Sequence, residues 1–195
     1  MSYVFPPAPP ASLAIAGRVE RFPIRRVYCV GRNYADHARE MGALDQADGR
    51  EPPFFFSKPA DAVVAGGDVP YPPATANLQH EIELVVALGP ETARHGQGGA
   101  DIPVAKALQC VFGYAAGFDL TRRDLQARSK EKGHPWDMGK GFDASAPTGL
   151  LHPVSDIGHP QRGGIWLKVN GEMRQRGELA DMSWKVAEVI AQLST

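Results

Sequence analysis

The chain has 195 residues, 43% of them hydrophobic, with 21 basic against 22 acidic side chains and a formal net charge of -1. That is enough apolar material for one compact domain. The even charge balance excludes the broad basic face that nucleic acid or an anionic membrane would require, so an anionic small molecule would have to be met by a few locally placed cations.

Two cysteines, Cys29 and Cys110, stand far apart and outside any metal-type spacing. No disulfide framework is expected, and a reducing, cytoplasmic setting is. No apolar run reaches membrane-spanning length.

Residues 1–25 read as a proline-rich arm (Pro6, Pro7, Pro9, Pro10) without the basic head and apolar stretch of a secretory signal. The rest, 26–195, reads as one domain. A β-rich run from Arg26 to Val30 closes at Gly31. Asn33 can cap a helix that shows Tyr34, Ala38 and Met41 on one face and stops at Gly42. Phe54 to Phe56 and Ala62 to Val64 suit short strands around the Lys58-Pro59 turn. His80 to Leu88 suits a longer strand. Residues 91–101 are glycine-rich. Pro103 to Leu108 predicts a short helix, Cys110 to Leu120 a buried strand and Thr121 to Glu131 a polar helix. Ile165 to Val169 enters a hairpin turn at Asn170-Gly171. Ser183 can cap a last helix whose apolar face is Val186, Val189, Ile190 and Leu193. No glycine-rich loop leads a helix off a strand, which disfavours a dinucleotide fold. Short strands between Gly and Pro turns point to an α+β, β-rich architecture.

The chemistry-bearing pattern lies in His80-Glu81-Ile82-Glu83-Leu84. In a strand, residues i and i+2 share a face, so Glu81 and Glu83 stand about 6.5–7 Å apart along it. No Lys or Arg lies within three residues to offset their repulsion. A hard cation such as Mg²⁺ would offset it; an ordinary wet strand face is the alternative. Asp119 ends an apolar strand at the rim of the core. It suits a third oxygen ligand, or a helix cap, or a partner for Arg122 or Arg123. His37 and Glu40, three apart on the first helix, can form a carboxylate-oriented imidazole that takes a proton from water, or a surface ion pair. Lys140 follows Trp136-Asp137-Met138-Gly139 and is either a substrate-facing ammonium or a solvated lysine.

In order along the chain, Cys29-Val30-Gly31-Arg32-Asn33-Tyr34-Ala35-Asp36-His37, Phe55-Phe56-Ser57-Lys58-Pro59, His80-Glu81-Ile82-Glu83-Leu84, Gly113-Tyr114 with Asp119, and Lys168-Val169-Asn170-Gly171-Glu172 resemble the fumarylacetoacetate hydrolase family, above all its bacterial fumarylpyruvate hydrolases and acylpyruvases. The resemblance implies a mixed-sheet roll, a homodimer, and a Mg²⁺ or Mn²⁺ ion on Glu81, Glu83 and Asp119. It implies a water-activating dyad in His37 and Glu40, and substrate-facing roles for Lys140 and Gln126, with Arg123 and Arg32 as candidates to grip a carboxylate. The implied reaction is cleavage of a carbon–carbon bond in a 2,4-dioxo acid such as 3-fumarylpyruvate, in aromatic-compound catabolism. The same site would also suit decarboxylation of oxaloacetate or tautomerisation of a dioxo acid. Family members continue into a Gly-Asp pair and a Thr-Gly-Thr-Pro turn that lines the pocket. Neither follows the last predicted helix before Thr195, so a C-terminally short domain is expected, and with it the alternative of an inactive relative.

Overall fold

The structure, a computed structural model, describes residues 2–34, 51–89 and 100–195. His37, Glu40 and the helix expected after Asn33, from residue 35 on, therefore lie outside the described residues, as does nearly all of the glycine-rich segment.

The chain opens with a small antiparallel hairpin, β1 (Ser12–Ala14) with β2 (Arg21–Pro23). This differs from the extended arm expected there. Leu13 and Ile15 alternate inward and are buried against Leu151, Ala87 and Ala115. The backbone follows, with Leu151 N–H donating to Ala14 O at 3.0 Å and Ala16 N–H to Leu151 O at 2.9 Å. Next, β3 (Val27–Gly31) pairs antiparallel with β4 (Phe54–Lys58). A single 3₁₀ turn leads into β5 (Val63–Val64).

The centre is an antiparallel ribbon. β6 (Leu78–Gln79) and β7 (Ile82–Leu88) run against β8 (Val111–Phe118) and β9 (Thr121–Arg122), with the short helix α1 (Val104–Ala107) between the two arms. β7 is apolar on both faces along most of its length. Leu84, Val86 and Leu88 pack into a cluster with Ile102, Cys110, Tyr114 and Ile190. Val85 and Ala87 pack on the opposite side with Leu13, Ile15 and Leu151. The polar residues that interrupt this pattern sit at the start of β7, and that is where the site forms.

After β9 come α2 (Arg123–Lys132) and the one-turn helix α3 (Asp137–Lys140). Asp124 in the first turn of α2 accepts from Thr75 Oγ1 at 2.6 Å. Gly133 ends α2 in the left-handed conformation (φ +65), which a glycine adopts without a Cβ penalty. β10 (Ala146–Pro147) pairs in parallel with β5, and β11 (His152–Pro153) adds a third strand beside β8. α4 (Val154–Ile157) follows. β12 (Gly164–Val169) and β13 (Glu172–Glu178) form a hairpin through Asn170-Gly171, both at positive φ as the sequence predicts. The hairpin is tied to the start of β7 by Ile82 N–H donating to Gln175 Oε1 at 2.8 Å. α5 (Val186–Leu193) closes the chain.

The helix expected after Asn33 lies outside the described residues, but Asn33 itself makes a long-range contact. Its amide brackets Trp184, with Nδ2 donating to Trp184 O at 2.9 Å and Oδ1 accepting from Trp184 N–H at 2.7 Å. Ser183 precedes α5 by too much to cap it. Glu188 does the work instead, accepting from Lys185 N–H at 2.8 Å.

Leu151 is fully buried between the N-terminal hairpin and the central ribbon. Leu151→Ala should cost about 2–5 kcal/mol, read as a lowered urea midpoint at unchanged slope. A loss well under about 1 kcal/mol would mean that the hairpin does not close the core as described.

Candidate active site

The register of the central ribbon builds the site. Gln79 pairs with Thr121 and Ile82 with Phe118 in one unbroken antiparallel alignment, so Glu81 stands directly opposite Asp119. Asp119 N–H donates to Glu81 O at 2.9 Å across this gap. Residues that face each other across antiparallel strands project to the same side. Glu81 and Asp119 therefore meet, and Glu83, two residues on and opposite Gly117, joins the same face. All three line one cleft of ≈ 500 Å³.

Cations from three other segments converge on them. Lys140 Nζ reaches Glu81 Oε2 at 3.0 Å and Asp119 Oδ2 at 2.6 Å. Lys58 Nζ lies 2.9 Å from Asp119 Oδ1 and also donates to Leu120 O and to Lys140 O. Arg123 Nη2 lies 2.5 Å from Glu81 Oε1, while its Nη1 donates to Gln126 Oε1 at 2.7 Å. Burial opposes ionisation of Glu81, but the charges of Lys140 and Arg123 outweigh it and hold its pKa below the ordinary value. Burial pulls Lys58 down, against the pull of Asp119.

Glu83 differs from the other two. Among the described residues no cation pairs with it. Its carboxyl is withdrawn from bulk water into the cleft and repelled by Asp119 and Glu81, which together push its pKa up to about 8. The residue as a whole is exposed at the mouth of the cleft.

Local sequence explains the placement. α3 can lie on α2 because Gly139 has no Cβ: one there would meet the Gln126 backbone at 3.0–3.1 Å. That contact presents Lys140, the next residue, to the carboxylates. Arg123 and Gln126, three apart on α2, share the face turned to the cleft.

Lys140 is 2% exposed, so it is no solvated lysine, and Glu81 at 8% is no wet strand residue. Asp119 pairs with neither neighbouring arginine. Arg122 lies over the Phe142 ring, 4.4 Å from its centroid, and Arg123 serves Glu81. Arg32 also lines the cleft and lies over Phe54. Lys58, read from sequence as a turn residue, is a buried member of the network. Its signal was its place one residue before Pro59, at the end of a strand that opens with three phenylalanines.

The donor set has the chemistry of a hard-cation site: three carboxylates on one face, one of them without a counter-charge. Glu81, Glu83 and Asp119 could hold such an ion. As the side chains stand, the Lys140 ammonium bridges Glu81 and Asp119, and among the described residues no three His, Cys, Asp or Glu side chains converge around one point. An entering cation would take over the bridge that Lys140 makes.

Residues 26–195 match the family model for the fumarylacetoacetate (FAA) hydrolase C-terminal region. A crystal structure of fumarylpyruvate hydrolase from Pseudomonas aeruginosa, in complex with Mn²⁺ and pyruvate, is 52% identical, with 99% of this chain and 81% of that chain aligned at a TM-score of 0.89. Human mitochondrial oxaloacetate tautomerase FAHD1 is 39% identical over 171 residues, 87% of this chain and 72% of the human protein. The Arabidopsis thaliana protein of the same name is 36% identical over 170 residues.

The raised pKa of Glu83 has a stability consequence. The folded chain keeps this proton up to about 8, whereas the unfolded chain releases it near 4.5. The stability it contributes is complete below the lower value and is lost as pH rises through the higher one. In metal-free protein, Glu83→Gln should therefore gain on the wild type in urea unfolding as pH rises from about 5 to about 8. A difference between the two that does not change with pH would contradict the placement of Glu83 beside Asp119.

Proposed function

The chain belongs to the fumarylacetoacetate hydrolase family, and from that premise we propose that it hydrolyses the C3–C4 bond of a 2,4-dioxo acid such as 3-fumarylpyruvate, giving fumarate and pyruvate, with a divalent cation on Glu81, Glu83 and Asp119. The observation that carries this reading is the facing pair Glu81 and Asp119, with Glu83 beside them, at the floor of a cleft walled by cations. The likeness to a fumarylpyruvate hydrolase at 52% identity supports the substrate class.

A divalent ion supplies Lewis acidity for charge that develops on a 2-oxo acid as its neighbouring bond breaks. The chain supplies the rest. Arg123 and Gln126 present N–H groups from one face of α2 to the substrate carboxylate. Lys140, released from Glu81 and Asp119, brings its ammonium to the 2-oxo oxygen. His37, oriented by Glu40, takes a proton from water as the oxygen adds to C4. The C3–C4 bond then breaks, its electron pair passing to C3 and on to the 2-oxo group. A proton added at C3 completes pyruvate. Phe54, Phe56 and Trp136 line the cleft and limit water around the bond.

Tautomerisation of oxaloacetate is a second reading, favoured by the activity named for the human and Arabidopsis relatives. It moves a proton at C3 and needs no attacking water.

Purified protein supplied with Mn²⁺ or Mg²⁺ should consume 3-fumarylpyruvate and release pyruvate, and excess chelator should stop it. His37→Ala should lose this hydrolysis by about 10²-fold or more yet keep its Mn²⁺ affinity in calorimetry. Tautomerisation of oxaloacetate without release of pyruvate from 3-fumarylpyruvate would reject the hydrolase reading in favour of the second one.

A further inference from the structure

Beyond the carboxylates, the cleft carries a pair of cations that the chemistry above does not use. Lys130 lies one helical turn past Gln126 and two past Arg123, on the same face of α2. Its Nζ sits 5.2 Å from the centroid of Trp136. Arg32 sits 5.6 Å from the centroid of Phe54. The two rings meet edge to face with centroids 5.5 Å apart, so the two cations stand over neighbouring rings in contact. Among the described residues neither has a carboxylate within ion-pair distance.

Two like charges on touching rings repel, and the surrounding fold holds them there. A Cβ at Gly31 would run into the Phe54 ring, so the strand can bring that ring close only through glycine. Arg32 itself is held at φ +56, a conformation uncommon outside glycine and costly unless its surroundings enforce it. Lys130 has a lowered pKa, first from burial and then from the charge of Arg32. Such an arrangement favours an anion over an empty site.

We propose that Lys130 and Arg32, above Phe54 and Trp136, form a second anion subsite that takes the distal carboxylate of a dicarboxylic acyl group. This rests on the reading of the cleft as a 2-oxo acid site and names the acyl class that such a site selects. One carboxylate end of the substrate lies at Arg123 and Gln126. The other reaches Lys130, about 6 Å further along the helix. The short chain of oxaloacetate falls short of that span, and acetylpyruvate has nothing to place there. An extended, conjugated acyl chain such as fumaryl spans the gap.

The test compares wild type, Lys130→Met and Lys130→Arg, each supplied with Mn²⁺. The ratio of kcat/KM for 3-fumarylpyruvate to that for acetylpyruvate should fall at least about tenfold in Lys130→Met, chiefly through KM, and return toward wild type in Lys130→Arg. An unchanged ratio, whether both substrates suffer equally or neither does, overturns the subsite. Should the wild type hydrolyse neither compound, the hydrolase reading fails on its own. The subsite is then decided by calorimetry with fumarate and acetate as probes. Fumarate should bind the wild type at least about tenfold more tightly than acetate, and Lys130→Met should remove that margin. Equal fumarate affinity in wild type and Lys130→Met overturns it.

Discussion

The constraint on which the rest depends is the register of one antiparallel ribbon. Because Gln79 aligns with Thr121 and Ile82 with Phe118, Glu81 and Asp119 must face each other on the same side. A slip by one residue would turn every side chain of the strand to the opposite face. It would also drive Leu84 and Val86 out of the apolar cluster shared with Tyr114 and Ile190. The hydrophobic pattern of β7 and the position of the carboxylates are therefore one decision made twice. Packing holds the register, and the register fixes the chemistry.

Two carboxylates forced together at the edge of a core are costly, and the fold offsets the cost from a distance in sequence. Lys58 comes from β4, Arg123 from the start of α2, and Lys140 from α3. Replacing a buried ionic network with apolar residues is often neutral or favourable to stability, so such a network is better explained by what it specifies than by what it adds to folding. Here it ties β4, α2 and α3 to the ribbon at a single point. Lys58 donates to the Lys140 carbonyl and to the Leu120 carbonyl, so it also fixes the backbone on either side of the site.

The sequence made half of this legible. Alternation in the segment from His80 to Leu84 was enough to place Glu81 and Glu83 on one face and Ile82 and Leu84 on the other. The apolar run before Asp119 was enough to put it at a strand end. What alternation cannot show is which strand pairs with which, so the counter-charges were invisible: no local rule brings Lys58 or Arg123 beside residues more than twenty positions away. The N-terminal hairpin was hidden by its prolines, which frame two three-residue strands too short to display a period. Asn33 shows the same limit, because nothing local in the sequence announces its long-range contact. Its partner, Trp184, lies 151 positions along the chain. His37 and Glu40 rest on the family resemblance and lie outside the described residues.

The charges within the cleft also relate the two proposals. Glu81, Glu83 and Asp119 stand against Lys58, Arg123 and Lys140, a balance near neutral when all six are ionised. Glu83, its pKa pushed up by desolvation and by its two acidic neighbours, holds its proton more readily than an ordinary carboxyl and so eases the crowding. A divalent ion on the three carboxylates would draw that proton off and leave the floor of the cleft positive. The Lys140 ammonium, displaced from Glu81 and Asp119, would add to the positive charge facing the opening. Arg32 and Lys130, already present without acidic partners among the described residues, extend the positive charge along α2. A monoanion would answer only the inner part of that field. An elongated dianion answers both ends, and its second charge meets side chains that the reaction centre does not need. On the two proposals together, occupancy by the ion and preference for a dicarboxylic substrate would be coupled through one electrostatic balance, set by the alignment of residue 81 with residue 119.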